Sequence, residues 1–168
     1  MGNMIERKTT DTTISGSAGQ LAALTIQSGK APALMPSGLL DFSAHGTLRN
    51  FSGATAGATF VAYCNGTLLF SGQATLANVD VERSWSLRGK LWGHGSGKLN
   101  SEVVVEAANT GSAGGITSSA VISAIASREL ISASGDLSLS LSVYHDAPGG
   151  GPIETVCQDA QATYYPKL

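Results

Sequence analysis

The sequence predicts an all-β chain: an antiparallel β-sandwich of jelly-roll type, with an extended N-terminal arm. Three observations predict it. Several segments alternate strictly between apolar and polar residues, an Asn-Gly pair joins two β-prone runs, and glycine-rich stretches punctuate the chain. Alternation at 180° per residue puts one set of side chains on a buried face and the other in water, which is the pattern of a half-buried strand. Roughly eight such runs separated by turn-forming stretches read as a sandwich or jelly roll.

The first 36 residues hold little period, contain Pro32 and Pro36, and carry scattered Ile5, Ile14, Leu21, Leu24 and Ile26. They are expected to form an arm over 1–36, ahead of a sandwich over 37–168. Fully extended at roughly 3.3 Å per residue, such an arm spans up to about 120 Å, enough to grip a neighbour. A first strand over Leu21–Gln27 with a loose leader is the competing expectation. Regular alternation begins at Leu40, Phe42, Ala44, Gly46 and Leu48, set against Asp41, Ser43, His45, Thr47 and Arg49.

Thr59–Cys64 and Thr67–Phe70 flank Asn65-Gly66. Both central positions of a type I′ turn need positive φ, which Asn and Gly tolerate best, so a tight hairpin is expected there. Alternation returns in Trp85, Leu87, Gly89 and Leu91, and again in Leu99, Ser101, Val103, Val105 and Ala107. Between Ser118 and Ile131, Val121, Ile122, Ile125 and Leu130 fit one face of a helix, but Ser-rich flanks and three β-branched residues favour a strand. Leu137, Leu139, Leu141 and Val143 give the cleanest strand. The last runs from Ile153 to Tyr165, with an interruption expected at Gln158 and Asp159, where the alternation slips. Gly53–Gly57, Gly93–Gly97, Gly111–Gly115 and Pro148–Pro152 supply the turns.

Composition narrows the function. The chain has 168 residues, 42% hydrophobic and 13% charged, with ten Lys and Arg against twelve Asp and Glu. That is enough chain for one real core and too apolar for a disordered segment. A formal charge of −2 without a basic cluster argues against nucleic acid, whose affinity comes mainly from cations that displace counterions. No run of about 18 apolar residues is present, so no membrane-spanning helix is expected. Cys64 and Cys157 read as two buried thiols, with a disulfide as the alternative if their strands adjoin.

No complete catalytic set can be assembled. Lys98 follows Gly93-x-Gly95-x-Gly97, but Leu99 stands where a phosphate loop needs Ser or Thr, and no serine has the glycines of a nucleophile elbow. His45, His94 and His145 lie on separate segments, so no metal pair is expected, and no cofactor is implied. Asp80 with Glu82, and Glu102 with Glu106, share strand faces as carboxylates that keep an outer surface wet. Trp85 alternates inward with Leu87. Trp92 falls on the opposite, polar face, where a flat ring is a candidate for a partner or for the apolar face of a sugar.

Arg7-Lys8-Thr9-Thr10 through Thr13-Ile14-Ser15-Gly16, the Trp85–Leu91 strand, and the pair Asp136–Tyr144 and Ile153–Tyr165 together resemble the small jelly-roll proteins of tailed-phage virions: head decoration, head-fibre or tail-accessory subunits. The resemblance covers most of the chain, which departs from it in the Ala147–Pro152 loop and the proline-containing leader. It implies a non-enzymatic subunit, made in the host cytoplasm and carried in the virion, that covers capsid or tail surface beside other virion proteins. It also implies a homo-oligomer, with a trimer favoured. Ile5, Ile14, Leu21 and Trp92 are the candidate partner-binding residues. A carbohydrate- or receptor-binding module of a particle, motivated by Trp92 and the flexible loops, is the alternative.

Overall fold

A computed structural model describes residues 3–16, 18–31, 38–78, 82–94, 98–109, 118–132, 137–146 and 151–166. Eleven strands follow one another among them: β1 (Asn3–Lys8), β2 (Thr12–Gly16), β3 (Ala18–Ala31), β4 (Leu39–Asn50), β5 (Ala56–Cys64), β6 (Thr67–Leu76), β7 (Arg83–His94), β8 (Lys98–Asn109), β9 (Ser118–Ser132), β10 (Leu137–Asp146) and β11 (Ile153–Tyr165). One sheet runs β1-β11-β4-β7-β8-β9, with β2 also on β11; the other runs β3-β10-β5-β6. Every pairing is antiparallel.

The pairing has a nested logic. β5 pairs with β6, β4 with β7, β3 with β10 and β2 with β11, as in one long hairpin. Contacts of β11 with β4 and of β10 with β5 then roll that hairpin into two facing sheets, the jelly roll. Its tip is the Asn65-Gly66 turn, with φ of 48° and 76°, as the dipeptide predicts. The Asn65 amide N–H donates to Ser138 O, and its side-chain oxygen accepts from the Ser138 N–H at 2.8 Å, which ties the tip to β10. β8 and β9 are an insertion between β7 and β10 that widens the larger sheet.

Alternation decides the core. Leu40, Phe42, Ala44 and Leu48 on β4, Leu87 and Leu91 on β7, Val103 and Val105 on β8, and Leu137, Leu139, Leu141 and Val143 on β10 are all buried, while their neighbours face outward. Trp85 is 2% exposed and meets Phe60 of the opposite sheet, with ring centroids 5.3 Å apart and planes tilted 48°. Its indole N–H donates to both Thr47 O (3.3 Å) and Val156 O (3.2 Å). Between these strands lies Gly46, where a Cβ would stand 1.8 Å from Val156 O. Two positions on, the β11 register breaks between Cys157 and Asp159, the bulge that the slip in alternation predicts.

The N-terminal segment differs from the expected arm. β1 and β2 lie end to end along β11, and β3 borders β10, so the three N-terminal strands are divided between the two sheets. Pairing satisfies the backbone groups that β11 and β10 would otherwise leave open. Arg7 Nε reaches Asp159 Oδ1 at 3.5 Å beside the bulge. The 36/37 boundary lies outside the described residues. Ser118–Ile131 falls within strand β9, and no helix occurs among the described residues. Cys64 and Cys157 are buried in different sheets and are not disulfide-bonded. Burial pushes the Cys64 thiol up to about 11 and raises that of Cys157 as well.

His145 joins the two sheets in the interior. It is 7% exposed on β10; Nδ1 lies 3.2 Å from Gly16 O, and Nε2 faces the Thr155 hydroxyl on β11. A carbonyl can only accept, so Nδ1 carries a proton, and the Thr155 hydroxyl can donate to Nε2 when the ring is neutral. Burial lowers its pKa from 6.5, against a smaller opposing effect of the Gly16 carbonyl.

Trp85→Ala should cost about 3–5 kcal/mol in urea unfolding, from the cavity and the loss of the indole N–H donor. Gly46→Ala should also destabilise, by forcing β11 away from β4. Stability should also depend on pH. The folded His145 pKa lies below the unfolded one, so its contribution is complete above about pH 6.5 and is lost as pH falls from there toward the lowered folded value. The urea midpoint should therefore fall between pH 7.5 and pH 5.5, and His145→Gln should remove that part of the fall.

Candidate functional site: the outer face of the larger sheet

Register across the larger sheet sorts its outward side chains into rows. Tyr165 pairs with Leu39, Leu39 with Trp92, and Trp92 with Asn100. The next row is Thr163, Asp41, Lys90 and Glu102, and the third is Gln161, Ser43, Arg88 and Val104. The fourth is Asp159, His45, Ser86 and Glu106. One end of the face is thus aromatic, and the rest is a mixed lattice of charges, amides and hydroxyls.

The charges largely neutralise one another. Arg88 Nη2 lies 3.0 Å from Glu106 Oε2, which also accepts from Ser86 Oγ at 3.4 Å. Arg7 meets Asp159 at the β1 border. Asp41 Oδ1, by contrast, is sealed from solvent and accepts no hydrogen bond. It borders an open depression of about 240 Å³ whose other walls include Ser43, Arg88, Gln161, Thr163 and Tyr165. A second, of about 340 Å³, lies beyond the Arg88–Glu106 pair among His45, Thr47, Ser84, Ser86 and Gln158.

The candidates read from sequence separate. Trp92 is outward and half-buried in the aromatic row, as its parity predicts. Ile14 differs from a partner-binding residue of an arm: it packs against the core, because β2 closes the edge of the roll. Ile5 and Leu21 fall in β1 and β3, but their side chains lie outside the described residues, as do those of His94 and Asp80. His45 is outward and exposed whereas His145 is buried between the sheets, so these two do not converge. Glu102 and Glu106 take the outer face expected of them, with Glu106 engaged by Arg88. No group of three His, Cys, Asp or Glu side chains suited to a metal ion occurs among the described residues. Sequence reasoning missed the gathering of Asp41, Arg88, Gln161 and Tyr165. Their parities mark each as outward, but only strand order brings β4, β7 and β11 together.

No protein-family model and no curated protein matches the sequence. Among solved structures, the chain is similar to lectin I from Ulex europaeus, determined in complex with the methyl glycoside of α-L-fucose. Identity is 11%, with 92% of this chain and 98% of that one covered, at a TM-score of 0.34. The superposition is loose, and nothing about ligand or activity passes from that protein to this chain.

Ion pairs on this face should matter little to stability, because both partners of Arg88–Glu106 remain well exposed. Arg88→Ala should change the unfolding free energy by no more than about 1 kcal/mol in urea denaturation.

Proposed function

We propose that the chain is a non-catalytic structural subunit of a phage particle. It decorates or stabilises a capsid or tail surface through protein–protein contacts, and it works as a homo-oligomer with a trimer favoured. The observation that carries this reading is β9, the terminal strand of the larger sheet. From Ser118 to Ser127 its sequence contains neither charge nor proline, the devices that keep an open edge from pairing with another chain. Contacts with neighbours then belong to sheet edges, since the N-terminal strands are spent on closing the roll. A rolled hairpin suits such a role, because most of its strands are paired internally and many copies can stand side by side. Site of action on this reading is the virion, after synthesis in the host cytoplasm.

The purified full chain should have a light-scattering mass that is a multiple of the chain mass, three-fold if trimeric, and should be detected by mass spectrometry in particles purified from its host. Ile125→Lys, which puts a charge on β9, should reduce both the oligomer and its incorporation while leaving the β circular dichroism intact. A monomeric wild type that is absent from particles would overturn the proposal.

A further inference from the structure

We infer that the outer face of the larger sheet, at its Tyr165–Trp92 end, is a binding site for a neutral saccharide chain. The inference stands on its own residues and does not require the particle reading.

Geometry comes first. Tyr165, Leu39 and Trp92 are register neighbours on three adjacent strands, so the two aromatic residues stand two inter-strand spacings apart, roughly 10 Å. Tyr165 is 39% exposed, and Trp92 is half-buried with its outward position settled by parity. Rings presented this way on a flat sheet offer stacking surface for the apolar faces of sugar rings. The spacing suits a ligand of two or more rings laid across the strands, and the open, shallow form of the adjoining depression suits a chain that passes over it rather than a small molecule enclosed by it.

Chemistry narrows the ligand. Beside the aromatic row, Arg88, Gln161, Thr163 and Ser43 supply donors that can meet hydroxyl oxygens. Asp41, a residue of the depression's wall, brings a carboxylate that can accept from a ligand hydroxyl. Charge excludes the other polymers. Among the described residues of the four rows, Arg7 and Arg88 are engaged by Asp159 and Glu106, and Lys90 sits in register between Asp41 and Glu102, so these residues offer a polyanion no uncompensated cationic stripe. What remains is a neutral polyhydroxyl chain.

The test uses the full-length protein on an array of neutral hexose and N-acetylhexosamine oligosaccharides, with sulfated oligosaccharides and a protein-coated surface as further arms, followed by calorimetry on any hit. The wild type is expected to bind a neutral oligosaccharide of two or more rings and to ignore the sulfated arm. Tyr165→Ala and Trp92→Ala should each weaken that binding at least ten-fold, and Asp41→Asn should weaken it several-fold with the fold unchanged by circular dichroism. Tyr63→Ala, at an exposed ring on the opposite sheet, should bind as wild type. Absence of any neutral glycan bound by the wild type, binding confined to the sulfated or protein arms, or unchanged affinity in both the Tyr165 and Trp92 variants would each overturn the proposal. None of these results depends on whether the chain is found in particles.

Discussion

Trp85 is the side chain on which the packing of this molecule turns. It begins as one member of an ordinary alternating strand. Its ring crosses the interior to Phe60, and its N–H holds two carbonyls from two further strands. One side chain therefore joins β7, β4, β11 and β5. Gly46 permits the arrangement, since any Cβ there would collide with the Val156 carbonyl. The bulge at Gln158 lies just past this crossing, where β11 must change its relation to β4. Apolar burial drives the sheets together without direction; the indole's two hydrogen bonds specify where they meet.

From that centre outward, the roll consumes the chain's inner faces and leaves function to its outer faces and edges. β1, β2 and β3 pair with β11 and β10, strands contributed by the last quarter of the chain, so the N-terminal and C-terminal strands meet in the same sheets. Such nesting raises the mean separation of contacting residues and is a reason to expect slow folding. It also brings His145 and Thr155 together across the interior with Gly16, where each donor finds an acceptor. The larger sheet, widened by β8 and β9, presents the broad face that carries Tyr165, Asp41, Arg88 and Trp92.

Much of this was legible in advance because period-two alternation is a local signal. Leu137 to Val143 and Leu40 to Leu48 face inward as read, Trp85 is core while Trp92 is outward, and the Asn65-Gly66 turn and the break at Gln158 fall where the residues put them. The N-terminal strands were not legible as parts of the roll. β1 and β2 are short, separated by a break over Thr9–Asp11, and stabilised by a strand about 150 residues away. Ile14 shows the consequence: an isolated apolar residue among polar ones reads as a contact for a partner, yet the partner is the chain's own core.

The sequence by itself determined the all-β class, the tip turn, the site of the bulge and the sidedness of most strands, because each depends on neighbours a few residues apart. Tertiary structure alone decided strand order, the incorporation of the N-terminal segment into both sheets, and the rows that set Tyr165 beside Leu39 and Trp92, or Asp41 beside Thr163 and Lys90. The physical reason is that hydrogen bonds between strands carry no record in local pattern: alternation says which way a side chain faces, and only the pairing of distant backbones says what it faces beside.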